Sequence, residues 1–226
     1  MRFLILVLLL VGCSSPARAD LTAHYRHVDG SGTVRVEVAG NGDARFEMSG
    51  QPWRLIHRSG VSYVVYLLPG GPLVARIDDL RQLATEHGGE PPSLAISSMR
   101  LVPRGEVRMG GFSGRAYHLQ MPDGPTSRPQ LVVSQDPALA PIGQAWLRQI
   151  DFSMAMLRAR GAPVPDAVTR IREVLTTGSP IYYGGQQLQR IDNAAIPAER
   201  FRLPAEPVTL DELRNGAAQS FLGPTV

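Results

Sequence analysis

The sequence contains no lysine, and every one of its 23 basic residues is an arginine. Without a lysine amine, Schiff-base catalysis and the Ser-x-x-Lys type of activated serine are both excluded. The chain also has a single cysteine, Cys13, so no disulfide can form within it. Its stability must therefore come from a hydrophobic core, for which 43% apolar residues in a chain of 226 are ample.

An excess of charge of one sign is also absent. The 23 basic residues stand against 20 acidic ones, which gives a formal net charge of +3. A nucleic-acid-binding protein normally presents a dense basic surface, so we expect no nucleic-acid partner. The sequence also lacks a P-loop, internal repeats and low-complexity tracts.

Recognisable catalytic and metal-binding motifs are missing as well. Residues 111–114 begin like the nucleophile elbow of a hydrolase, but Arg115 stands where the final glycine belongs. The five histidines do not have the spacing of a zinc site. His24 and His27, for example, are three residues apart on a predicted strand and should face opposite ways. We therefore expect no enzymatic activity, no metal and no cofactor.

The amino terminus carries the most specific motif of the chain. Arg2 is followed by an unbroken apolar run over residues 3–11, which is too short to span a bilayer as a mature helix and is typical of a signal peptide. Residues 10–13, Leu-Val-Gly-Cys, resemble a bacterial lipobox. That resemblance implies that Cys13 receives a diacylglyceryl group and becomes the new amino terminus. Ser14, in place of an aspartate, implies sorting to the outer membrane.

The alternative is ordinary cleavage after Ala19, because residues 17–19 form an A-x-A-like site. That cleavage would leave a soluble periplasmic protein. In both cases residues 1–19 are leader and tether, and residues 20–226 form a single domain in the bacterial cell envelope. We predict the lipoprotein, held at the outer membrane through Cys13 and facing the periplasm.

Residues 33–68 alternate between apolar and polar with period two, and Gly, Asn or Pro falls at most interruptions. This pattern predicts an antiparallel meander with one face toward the core. A slip of one residue would turn every side chain to the other face, so the pattern also predicts the register. It sets Val34 opposite Met48 and Val36 opposite Phe46.

The same register makes residues 40–42 a three-residue loop. It places Glu37 opposite Arg45 and Arg35 opposite Glu47 on the other face of the meander. We expect that face to be solvated, so each charge pair should contribute about a few tenths of a kcal/mol.

Turn residues and helical periodicity predict the remaining elements. Asp136 should cap the longest helix, with a proline in its first turn, and Asp78 should cap a shorter one. Phe201 is expected on a last short strand. We predict further strands at 21–29, 73–77, 99–109, 114–121 and 130–134, a hairpin at 181–191, and helices at 78–84, 137–160, 166–177 and after the capping box of Thr209 and Glu212.

A leader, a period-two meander and helices inserted between later strands together resemble the LolA/LolB/RseB group of bacterial envelope proteins. The resemblance covers residues 20–205 and rests on pattern, as in strand 44–48, which is similar to the group's opening meander. It implies an α+β fold in which a curved antiparallel sheet forms a half-barrel and helices pack on its concave side. No functional motif of the group can be transferred to this chain.

Two functions follow from this fold. In the first, the apolar concave face binds a lipid, an acyl chain or an apolar peptide. In the second, the protein is a membrane-tethered structural or interaction protein of the envelope, with another envelope protein as partner. Its core is then filled by its own side chains. The volume of any cavity beside helix 137–160 distinguishes the two functions, because a ligand site usually has a volume of about 300 Å³ or more. The residues expected to line the ligand wall are Val34, Val36, Phe46, Met48, Trp53, Tyr63, Trp146 and Ile150.

Overall fold

The structure is a computed structural model that describes residues 19–87, 100–121, 124–159 and 161–217. Cys13 and most of the predicted leader lie outside these residues. The described residues form a 12-stranded sheet in which every ladder is antiparallel. The strands are β1 (Leu21–His27), β2 (Thr33–Val38), β3 (Ala44–Met48), β4 (Trp53–Arg58), β5 (Val61–Leu68), β6 (Gly71–Arg76), β7 (Arg100–Met109), β8 (Phe112–Met121), β9 (Gly124–Pro125), β10 (Leu131–Ser134), β11 (Ser179–Tyr183) and β12 (Gln186–Asp192).

Helices complete the fold and confirm the α+β class. They are α1 (Ile77–His87), α2 (Ala140–Ala159), α3 (Asp166–Leu175) and the short α4 (Leu210–Glu212), which continues as a π-helical turn over Leu213–Ala217. Two 3₁₀ turns, Pro137–Leu139 and Ala198–Phe201, precede α2 and α4.

The strand order in the sheet is β6-β5-β4-β3-β2-β1-β12-β11-β10-β8-β7, with β9 paired to β8. Strands β1 to β6 are therefore neighbours in chain order, as predicted for a meander. The first strand, β1, also pairs with the last, β12, which joins the meander to the later strands. The longest helix, α2, contacts β1, β2, β3 and β11 on both sides of that junction.

The predicted register of the meander is confirmed. Val34 lies opposite Met48, and Val36 lies opposite Phe46. The three-residue loop is confirmed too, because the amide of Ala39 donates to the carbonyl of Asp43 at 2.8 Å, across residues 40–42. The last loop residue has a φ of +91°, which a glycine adopts without strain.

The predicted cap at Thr209 is confirmed, and Asp136 is a cap as well, but of the 3₁₀ turn Pro137–Leu139 that leads into α2. The carboxylate of Asp136 accepts a hydrogen bond from the amide of Ala138 at 2.9 Å. At α4, the amide of Glu212 donates to Thr209 Oγ1 at 3.3 Å, and the amide of Thr209 donates to Glu212 Oε2 at 2.7 Å. These reciprocal bonds form the capping box that the sequence spacing predicts.

Two local predictions are wrong. Phe201 ends a 3₁₀ turn rather than lying on a strand, because it is a single buried aromatic in a proline-rich stretch with no period-two neighbours. Helix α1 begins at Ile77, one residue earlier than expected, so Asp78 lies inside the first helical turn and is not its cap. Its carboxylate accepts a hydrogen bond from Arg81 at 2.8 Å, one turn further on.

The expectation that the charged face of β2 and β3 is solvated is wrong as well. Glu37 and Arg45 are only 4% and 8% exposed, because the turn Ala198–Phe201 crosses this face of the sheet. Arg200, in that turn, donates to Glu37 Oε2 at 2.8 Å through Nη2 and to both carboxylate oxygens at 3.1 Å through Nε. Arg45 Nη1 donates to the carbonyl of Arg200 at 3.0 Å.

Glu47 extends this buried network, which we call the outer ion network (Glu37, Arg45, Glu47, Arg54 and Arg200). Glu47 accepts hydrogen bonds from Arg45 and, at 3.3 Å, from Arg200, and it lies 3.7 Å from Arg54. Burial alone would raise the pKa of Glu47, but the hydrogen bond from Arg45 and the nearby guanidinium charges hold that pKa below its usual range. The network thus ties the C-terminal segment to the sheet.

The start of α2 is fixed to β11 by Ser179. The Ser179 hydroxyl donates to the carbonyl of Leu139 at 2.6 Å and accepts from the amide of Gly143 at 3.1 Å. A Cβ on Gly143 would lie 2.9 Å from the carbonyl oxygen of Gly178, so only a glycine lets the helix approach this closely. This contact, which we call the seat of α2 on Ser179, determines where the later side chains of α2 meet the sheet.

Arg200→Gln should lower the free energy of unfolding by about 3 kcal/mol, because the buried Glu37 carboxylate loses the positive charge of the guanidinium that is hydrogen bonded to it. Arg35→Gln is the matched control. Arg35 lies 3.7 Å from the same carboxylate but has a half-exposed side chain, so its loss should cost less than about 0.5 kcal/mol. Urea unfolding monitored by circular dichroism measures both values, and equal losses in the two variants would contradict the distinction.

Candidate functional site

The interface between α2 and the sheet is centred on Trp146, which is completely buried. Its ring makes edge-to-face contacts with Tyr25 of β1, Phe46 of β3 and Tyr183 of β11. The ring centroids are separated by 5.3, 4.8 and 5.4 Å respectively. This geometry is favourable for aromatic pairs, so Trp146 fills the space between the meander and the later strands.

The structure brings together six of the eight residues predicted to line a ligand wall. One core cluster contains Val34, Val36, Phe46, Met48, Trp53 and Trp146. Trp53 of β4 also packs against Phe152 of α2, with ring centroids 5.3 Å apart.

The other two predicted wall residues lie elsewhere. Ile150 belongs to a second cluster, with Leu131 of β10 and Ile171 of α3. Tyr63 lies on the opposite face of the sheet, against Ile56 and other residues of a third cluster. Both faces of β5 are apolar, so alternation alone did not show which face Tyr63 takes.

Among the described residues, a cavity where Ala145 and Arg148 of α2 meet strands β3 to β5 has a volume of only about 10 Å³. That is room for about one water molecule, far less than a lipid or peptide site requires. Its mouth, which we call the β4–α2 mouth, is formed by His57 and Ser62 at the ends of β4 and β5, by Arg148 and Ala145 on α2, and by Ile77.

The β4–α2 mouth carries positive charge beside a polar pair. His57 Nδ1 and Ser62 Oγ are 2.9 Å apart, within hydrogen-bonding distance. Burial lowers the pKa of His57, and the charge of Arg148 lowers it further, whereas Asp43 opposes this shift. Burial also lowers the pKa of Arg148.

Two larger depressions lie at the surface near the start of the described chain. One, of about 490 Å³, is bordered by Asp20, Asn41 and Phe201. The other, of about 430 Å³, lies between the sheet and the start of the predicted helix 137–160, and it is bordered by Leu21 and by residues 137–139 and 141. Both are open to solvent. In the first, the carboxylate of Asp20 already accepts hydrogen bonds from the backbone amides of residues 40 and 196.

Four of the histidines in the described segments each have a partner of their own rather than a shared ligand. His24 lies 2.9 Å from Asp192, and His118 Nδ1 lies 2.7 Å from the carbonyl of Thr126. Within the described ranges, no group of three or more His, Cys, Asp or Glu residues could hold a metal ion. The expectation that the protein has no enzymatic activity stays a prediction.

Sequence reasoning missed the β4–α2 mouth, although one signal for it was present. The alternation of β4 places His57 on the same face as Trp53 and Leu55, both of which pack in the main core cluster. A histidine on the core face at the end of a strand could therefore have been identified. The position of Arg148 beside it depends on how α2 crosses the sheet, which no local pattern reveals.

Comparison with known proteins gives no match: no protein-family model, no curated protein and no solved structure is similar to this chain. The resemblance to the LolA/LolB/RseB group therefore stays a prediction. Within the part of the chain that the structure describes, no helix is long and apolar enough to cross a membrane.

Trp146→Ala should lower the free energy of unfolding by about 4 kcal/mol, because it removes a fully buried indole and leaves a cavity in a packed interface. Trp53→Ala is the comparison. Because Trp53 is only partly buried, this substitution should lower the free energy of unfolding clearly less. Urea unfolding gives both values. If Trp146→Ala costs less than about 1 kcal/mol, the interface is not packed as described.

Proposed function

We propose that this chain is a bacterial envelope protein, anchored to the outer membrane through lipidated Cys13, that acts through its surface as a structural or interaction protein. Of the two functions that the sequence suggests, this one fits the interior best. The observation that carries the proposal is the close packing around Trp146, where the neighbouring β4–α2 cavity is only about 10 Å³. The depression of about 430 Å³ at the start of the helix is open to solvent.

Ligand sites are usually largely formed before the ligand arrives. Here the expected wall is already occupied, because Val34, Val36 and Phe46 are at most 2% exposed and pack in one cluster with Trp146. A bound acyl chain would have to displace Trp146 and expose apolar surface of α2. An interaction protein needs no such opening.

Contacts along α2 also argue against a movable helix. Asp151 on α2 accepts a hydrogen bond from Arg172 of α3 at 2.5 Å and lies 3.7 Å from Arg81 of α1. Together with the seat at Ser179, these contacts hold the helix at its start and in its second half. We therefore treat α2 as a permanent part of the core.

We also propose that the sheet is curved into a half-barrel with α2 on its concave side. In support, the tip of the β7–β8 hairpin reaches β12, where a Cβ on Gly110 would lie 2.6 Å from the carbonyl oxygen of Leu188. Strand β12 is three positions from β8 in the strand order, which in a flat sheet is roughly 14 Å. Bending of the sheet brings the two together.

Native mass spectrometry of the full-length protein, extracted gently from membranes, tests the filled core. We expect one mass that corresponds to the chain with its covalent anchor and no further lipid, because the described residues around Trp146 are closely packed. The Trp146→Ala protein, with its enlarged cavity, serves as a control that adventitious lipid would be detected. A stoichiometric, non-covalent lipid on the wild-type protein would instead support the hydrophobic-ligand function.

Replacing Cys13 with Ser tests the anchor separately. We expect the wild-type protein in the outer-membrane fraction and the Cys13→Ser protein in the soluble periplasmic fraction, because the diacylglyceryl group needs the thiol. Ser15→Ala, which leaves Cys13 in place, should fractionate like the wild type. Retention of the Cys13→Ser protein in the membrane fraction would contradict the lipidation proposal.

A further inference from the structure

Arg148 differs from the other arginines that the structure describes as buried or half-buried. Four of the five such arginines face a carboxylate, and Arg148 alone has no carboxylate partner among the described residues. The paired ones are Arg45 and Arg54 with Glu47, Arg172 with Asp151, and Arg200 with Glu37.

Without a protein partner among the described residues, the guanidinium of Arg148 depends on water to compensate its partial burial. A half-buried charge loses hydration, and a protein normally compensates that loss with a counter-charge or hydrogen bonds. The guanidinium of Arg148 has five N–H donors and makes no hydrogen bond to the described residues. An anion at the β4–α2 mouth would supply the missing compensation.

The other groups of the mouth complete a donor set. His57 Nδ1 is engaged with Ser62 Oγ at 2.9 Å, which leaves its Nε2 without a hydrogen bond to any described residue. The charged groups that act on His57 are Arg148 on α2 and Asp43 before β3, whereas the guanidinium of Arg45 lies on the other face of the sheet. The Asp43 carboxylate is already hydrogen bonded, to the amide of Ser59 at 2.9 Å and to Asn41.

We propose that Arg148, His57 and Ser62 form a binding site for a phosphate group. His57 and Ser62 are a cross-strand pair on the sheet, and Arg148 lies on α2. Donors from two sides of the mouth suit a tetrahedral anion better than a planar carboxylate, which one guanidinium can satisfy. The cavity behind them admits only about one water, so the phosphate sits at the mouth. Either free phosphate or a lipid headgroup carries this chemistry.

Titration of the detergent-purified, full-length protein with inorganic phosphate tests the site, with the ring signals of His57 followed by NMR. We expect a saturable shift of these signals and a rise in the pKa of His57, because a bound anion favours the imidazolium. Arg148→Gln should weaken binding about tenfold or more, since a charge-assisted contact is lost. Arg158→Gln, an exposed arginine on the same helix, should bind within about twofold of wild type.

The absence of a saturable shift up to about 50 mM phosphate, or equal binding by Arg148→Gln and wild type, overturns the proposal. If Arg148→Gln fails to fold by circular dichroism, Arg148→Lys replaces it and should bind more weakly than wild type because it lacks the planar donor fork.

A second titration, with dihexanoyl phosphatidic acid, distinguishes the two sources of phosphate. Tighter binding than inorganic phosphate assigns the site to a lipid headgroup, and equal binding assigns it to free phosphate. This inference does not depend on the anchor or on the interaction role.

Discussion

The packing of Trp146 against Tyr25, Phe46 and Tyr183 is the interaction on which the rest of the structure depends. These aromatic residues come from α2, from the meander and from the later strands, so a single buried indole joins all three parts. Removing this contact would leave a cavity between the meander, β11 and α2, although β1 and β12 would still pair. The same contact occupies the space between α2 and the centre of the sheet, which supports the proposal of a filled core.

The opposite face of the meander is held by a different kind of interaction. There the turn at 198–201 covers charged side chains, and the outer ion network compensates their burial. Beyond this turn the C-terminal segment continues to the edge strand β6, where the amide of Val208 donates to the carbonyl of Val74 at 2.8 Å. The meander is thus covered on both faces, on one by the apolar helix α2 and on the other by the polar C-terminal segment.

Local features of the fold could be predicted from the sequence because they depend on neighbouring residues. Period-two alternation determines the register of Val36 against Phe46, and the spacing of Thr209 and Glu212 determines a capping box. The burial of Glu37 could not be predicted, because it depends on Arg200, which is 163 residues further along the chain. The alternation of β2 shows only that Glu37 lies opposite the core face, not what covers it.

The candidate site shows the same limit. The apolar wall could be predicted from Val34, Val36 and Phe46, but whether the wall is core or pocket depends on the depth to which Trp146 inserts. The position of Arg148 in the β4–α2 mouth likewise follows from the seat of α2 on Ser179, a contact between distant parts of the chain. Such contacts have no signature within one sequence segment.

The central claim is that α2 is a permanent part of the core. Hydrogen–deuterium exchange of the amides between Ala145 and Met156, with and without phospholipid vesicles, tests it most directly. We predict protection close to the global free energy of unfolding, unchanged by vesicles, because these amides open only when the interface around Trp146 separates. Exchange that is much faster than global unfolding, or that accelerates when vesicles are added, would contradict the claim and identify α2 as a lid.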